Sequence, residues 1–124
     1  MFLSLKYKNI NRNIYKYVAV SISMANETIF IEVFGNNPIT KVLDFLITFQ
    51  LFDYPLTEIA KNSCVSYSTL QAMWDNLKRN RIVIKTRRVG KSGMYKLNTS
   101  NPAVKQMIKL DWNLIRGSEE EIYA

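Results

Sequence analysis

Near Asn80 the hydrophobic spacing of this sequence switches from a helical period to a strand period, and the elements on either side follow from that switch. Upstream, Ile39, Val42, Leu43, Leu46 and Ile47 fall on one helical face, with Phe45 and Phe49 beside it. Pro38 stands just ahead, where a residue lacking an N–H costs nothing in the first helical turn. Asp53-Tyr54-Pro55 ends this helix, and Thr57 is placed to cap a short second one that turns Ile59 and Ala60 inward. Asn62-Ser63 permits a turn, Val65 is sized to plug the space between helices, and Ser66 is the expected N-cap of a third helix. That helix carries Leu70, Met73, Trp74 and Leu77 on its inner face.

Downstream, the β-branched run Ile82-Val83-Ile84 continues into Lys85-Thr86-Arg87-Arg88-Val89, and Met94-Tyr95-Lys96-Leu97 returns after Gly90-Lys91-Ser92-Gly93. This is a hairpin whose glycines allow the positive φ of a tight turn. Asn98 to Asn101 breaks the strand, and Pro102 opens a last helix bearing Val104, Met107, Ile108, Trp112 and Ile115. Gly117 is the expected stop, leaving residues 118–124 as a frayed tail. The short apolar run Thr28 to Phe34 fits a strand or a buried helical turn, and is read as a strand. The 124 residues, 48% of them hydrophobic, suffice for one core. The pattern is therefore one domain, mainly α with a small β-hairpin.

Charge is unevenly distributed along this chain of net +7. Residues 61–96 hold nine basic side chains against Asp75 alone, whereas residues 25–60 hold five acidic ones against Lys41. A polyanion is drawn to the basic segment, as nucleic acid would be. The N-terminal residues contribute Lys6, Lys8, Arg12 and Lys16 with no acidic partner.

Several function classes are disfavoured. The chain has no histidine, the side chain on which general acid–base catalysis most often relies, and its carboxylates stand without an i, i+3 or i+4 helical partner. Cys64 is the single cysteine, so no intramolecular disulfide and no ordinary Cys/His zinc site can form. Its place at a turn between helices fits a small half-buried structural residue. Gly90-Lys91-Ser92 joins two strands, not a strand to a helix, and so is a hairpin turn instead of a nucleotide loop. No metal, no cofactor and no enzymatic activity are expected. Tyr17 to Ile31 is shorter than the roughly 20 apolar residues needed to cross a bilayer, and the N-terminus reads poorly as a secretory signal, so a cytoplasmic protein without membrane contact is expected.

The remaining polar residues suggest DNA. With Leu70, Met73, Trp74 and Leu77 inside, the helical step places Tyr67, Ser68, Gln71, Asp75 and Lys78 outside. Ser66, Ser68 and Gln71 offer hydrogen-bonding groups near the helix start, Gln71 suits the N6 and N7 edge of adenine, and Tyr67 can stack or meet a phosphate. Lys78, Arg79 and Arg81 extend a basic surface, and Lys85, Arg87, Arg88 and Lys91 place four cations on one hairpin. Asp75 is the weakest candidate, since phosphates repel a carboxylate. The candidate DNA-binding set is Ser66, Tyr67, Ser68, Gln71, Lys78, Arg87, Arg88 and Lys91.

The Phe34-Gly35-Asn36 entry with Pro38, the segment DYPLTEIA, the strand IVIKTRRVG with its MYKLN return, and the Asn101-Pro102 helix start resemble the small archaeal winged helix-turn-helix proteins of the broad multiple-antibiotic-resistance and arsenic-repressor type. The resemblance spans Val33 to about Leu114. It implies a winged helix-turn-helix with Tyr67 to Gln71 in the major groove and the Arg87–Lys91 wing beside it. Cys64 departs from the pattern, where glycine is common, and implies a slightly different turn. Residues 1–23 lack a counterpart, and a native start at Met24, with the preceding residues dispensable for folding, is expected. The implied function is sequence-specific binding of double-stranded DNA in transcription regulation, as a homodimer joined through the 102–116 helix near Trp112. The alternatives are a winged-helix protein adaptor without DNA binding, and an RNA reader, which would need exposed aromatics.

Overall fold

The computed structural model describes residues 28–123, so the expectations for residues 1–23 and for a start at Met24 lie outside the described residues. In chain order the elements are α1 (Ile29–Phe34), α2 (Pro38–Thr48), α3 (Leu56–Asn62), α4 (Tyr67–Arg79), β1 (Val83–Val89), β2 (Ser92–Leu97) and α5 (Pro102–Tyr123). The two strands pair antiparallel. Helix, turn, helix and hairpin in this order form a winged helix-turn-helix.

The helix starts are set by side chains. Asn37 Oδ1 accepts from the Thr40 N–H at 3.0 Å, with Pro38 following at the first helical position of α2. At α3 the expected cap is corrected: Pro55 is the N-cap, extended at φ −71°, and Thr57 already lies inside the helix. Proline's fixed φ takes the chain into Leu56 without a side-chain bond.

Three further expectations are corrected. Residues Ile29–Phe34 are helical, not a strand: Thr28 Oγ1 accepts from Ile31 N–H, and Phe30 stacks obliquely on Phe34 one turn on, with ring centroids 5.0 Å apart. The apolar run thus buries Phe30 along a helical face. The last helix runs through Gly117 to Tyr123 where a stop and a loose tail were expected. Gly117 has no positive φ, and a glycine inside a helix only weakens it by about 1 kcal/mol. The hairpin turn is tighter than the four residues expected, since Val89 pairs with Ser92 and leaves only Gly90-Lys91 between them. Gly90 has φ +60°, which glycine tolerates without steric penalty.

The core gathers Val42, Leu46 and Ile47 of α2 with Ile59, Leu70, Trp74, Val83, Leu97 and Val104. Ile39, expected on the inner stripe, is exposed instead, and Thr40 and Asp44 are buried on α2. Val65 packs against the core as its size suggests. Tyr54 closes the wing end of the core: its ring lies 5.1 Å from Phe45, and its backbone exchanges both hydrogen bonds with Tyr95 at 2.9 Å. Trp74 meets Tyr95 edge-on at 5.4 Å, so both aromatics pack, as expected, instead of being displayed. No helix among the described residues is long and apolar enough to cross a membrane.

Candidate nucleic-acid interface

α4 presents the face read from its spacing. Leu70, Trp74 and Leu77 are buried, while Tyr67, Ser68, Gln71, Asp75 and Lys78 are exposed, Tyr67 by 43%. Asp75 lies 3.6 Å from the Lys78 ammonium on that face, an exposed pair that partly offsets the lysine's charge and contributes little to stability. Ser66 is the N-cap as expected, and the capping role occupies it: its Oγ accepts from the Thr69 N–H at 3.1 Å and donates to the Thr69 hydroxyl at 2.7 Å. A serine has one O–H to donate, so in this arrangement none remains for a phosphate. Ser68 stands 3.2 Å away with its own hydroxyl at the surface.

The turn before α4 passes through the left-handed region, which glycine adopts most readily. Cys64 has φ +58°, and its side chain is exposed where a half-buried one was expected. A β-carbon in this region is crowded by the following carbonyl. The Lys41 ammonium donates to the Cys64 carbonyl at 3.3 Å, tying α2 to the turn.

At the other end of α4, a second left-handed residue, Arg81 at φ +59°, turns the chain into β1. Its carbonyl accepts from Asn98 Nδ2 at 3.0 Å and from Asn101 Nδ2 at 2.9 Å. In the sequence Asn98 reads as a strand breaker and Asn101 as the start of the last helix, and neither signals this contact. They tie the junction between α4 and the hairpin to the start of α5.

The hairpin does not present its four cations together. Lys85 pairs with Tyr95 but Arg87 pairs with Met94, leaving Thr86 as an extra residue in β1. Such a bulge changes which face the following side chains occupy. By this register Lys85 and Arg88 share the face of Tyr95 and Gly93, and Arg87 lies on the opposite face with Met94. Arg87 is engaged: Nε donates to Asp53 Oδ2 at 2.9 Å and a terminal nitrogen to Oδ1 at 3.1 Å. The Thr86 hydroxyl donates to the same carboxylate. These bonds hold the Asp53 carboxyl down at about 2 from an ordinary value of 3.8, with the Arg87 bond the largest cause, and the reciprocal bond raises the guanidinium. Arg88 and Lys91 are exposed near the turn, as are Lys78, Arg79 and Arg81 behind it. Among the described residues no group of three or more His, Cys, Asp or Glu side chains could hold a metal ion.

This arrangement of helices and wing recurs in solved structures. The chain is similar to MepR, a transcription regulator of the Staphylococcus aureus multidrug efflux pump MepA, with a TM-score of 0.57, 14% identity, and coverage of 89% of this chain and 79% of that one. It is similar also to an S. aureus MepR mutant bound to an oligodeoxyribonucleotide, with a TM-score of 0.56, 12% identity and the same coverages. At these identities the likeness is one of fold. No family model and no curated protein matches the sequence.

Proposed function

We propose that this protein binds double-stranded DNA in a sequence-specific manner and regulates transcription, as a homodimer of the kind the small archaeal winged-helix proteins exemplify. The observation that carries this reading is the coincidence, on one winged helix-turn-helix, of an exposed polar α4 face with a cationic α4 end and hairpin. Gln71 and Ser68 would read base edges, with Tyr67 beside them, and Lys78, Arg88 and Lys91 would meet phosphates. Ser66 would serve the DNA indirectly, by holding the first turn of α4 in the groove. That MepR mutant was bound to an oligodeoxyribonucleotide is consistent with this use of the fold.

Selection of bound fragments from random duplex DNA, repeated across a salt series, tests the reading. A recovered inverted repeat, with affinity falling steeply as salt rises, is expected for a dimer that neutralises several phosphates. No enrichment together with salt-independent binding would reject DNA in favour of a protein adaptor.

A further inference from the structure

Asp53 sits in the α2–α3 connection, far in sequence from the hairpin, yet accepts hydrogen bonds from two consecutive residues of β1. Neighbours on a regular strand point to opposite faces and cannot both reach one carboxylate. The bulge at Thr86 removes that obstacle. The backbone of the next residue, Tyr54, is bridged to β2 at Tyr95, so residues 53 and 54 hold both strands of the wing. Tyr54 is in turn seated on Phe45 and Phe49 of α2. Asp53 is mostly covered, its side chain 16% exposed, while Arg87 is 62% exposed and therefore at the surface where a phosphate could compete for it.

We propose that Asp53 is the positioning residue of the wing: it clasps Arg87 and Thr86, fixes the hairpin against the helical body, and withholds the Arg87 charge from the DNA backbone. This rests on the DNA-binding reading above. Arg87 is then a fastening residue, and phosphate contact falls to Arg88 and Lys91. A wing held in one orientation admits fewer ways of sitting on a duplex, so the clasp favours discrimination between sequences over raw affinity.

The test uses the full chain and its Asp53→Asn, Arg87→Gln and paired Asp53→Arg/Arg87→Asp variants, each checked for folding by circular dichroism. Affinity for the selected duplex and for random duplex is measured across a salt series, and amide exchange is followed over residues 83–97. Asp53→Asn is expected to lower discrimination by about tenfold and to steepen the salt dependence by about one unit, as the released Arg87 finds a phosphate. Arg87→Gln is expected to lower discrimination with the slope unchanged, and the exchanged pair to restore both readouts towards wild type. A slope lowered by about one unit in Arg87→Gln would make Arg87 a phosphate contact and overturn the proposal. So would unaltered discrimination and unaltered wing exchange in Asp53→Asn. If wild type binds no duplex but Asp53→Asn loosens the wing in exchange, the DNA reading fails while the positioning role stands.

Discussion

Gln71 and Asp53 act at the residue scale in different ways. Gln71 projects from α4 at the surface, and its amide carries a donor and an acceptor in the spacing that matches adenine's major-groove edge. Replacing it by alanine is expected to reduce the preference for the selected duplex over random DNA by about 1–3 kcal/mol while leaving random binding nearly unchanged. Competition binding with both duplexes measures this, and an equal loss for the two would reassign Gln71 to the backbone. Asp53 acts through charge on the fold itself. Its carboxyl titrates at about 2 in the folded chain against an ordinary 3.8, so the folded state prefers the ionised form. The stabilisation is therefore fully present above the ordinary value and is lost as pH falls through the folded one. The melting temperature of wild type should exceed that of Asp53→Asn near neutral pH, and the gap should close as the pH approaches about 2. A gap that persists unchanged in acid would mean that the carboxylate charge is not what holds the wing.

At the scale of elements, α2, α4 and the hairpin were legible because each spans enough residues for its period to show. Val42, Leu46 and Ile47 repeat on one side of α2, Leu70, Trp74 and Leu77 on one side of α4, and both lines are buried. α1 was not legible, since its six residues fit either period, and it is the Thr28 cap on the Ile31 N–H together with the backbone bonds from Glu32 to Thr28 and from Gly35 to Ile31 that make it a helix. The end of α5 was misread because Gly117 resembles a stop, although it serves as a stop only where the chain turns left-handed. The wing clasp left no local signal, because its partners lie 33 and 34 residues apart and meet only after the fold forms. Replacing Arg88 and Lys91 together by alanine should weaken binding to all duplexes at low salt and flatten the salt dependence by about one unit per lost phosphate contact. An unchanged slope in a folded variant would place the phosphate contacts elsewhere. For α5, a methyl group at Gly117 meets nothing within 4 Å, so Gly117→Ala should stabilise the protein by about 0.5–1 kcal/mol. A higher urea midpoint with unchanged slope is the expected result.

For the whole molecule, α5 is the longest helix among the described residues. It spans 22 residues and is anchored through fully buried Val104 and Asp111 and partly buried Met107 and Ile108. α1 packs against it, which accounts for part of its apolar surface. Further along, Leu110 is 43% exposed and Leu114 and Ile115 are half-buried, so an apolar edge continues beyond the core. Such an edge on a long helix suits a self-complementary seam between two copies, with Trp112 on the same stretch. Such a seam would have a functional consequence, because a twofold dimer can set two α4 helices about 34–36 Å apart, the spacing of successive major grooves of one duplex. On the proposed reading, one α4 alone would meet few base pairs, and doubling the contact surface is how a domain of this size could gain specificity. Leu110→Asp probes such a seam, since the side chain is already at the surface and the monomer fold should survive the change. Sedimentation at about tens of micromolar is expected to give a dimer for wild type and a monomer for Leu110→Asp, with the circular dichroism of the two alike. The same variant should keep non-specific affinity for short random duplexes while losing most of its preference for an inverted repeat. A wild-type monomer would sink the dimer. A folded Leu110→Asp that stays dimeric would move the seam to another face, leaving the spacing of the two reading helices to be set by a different element.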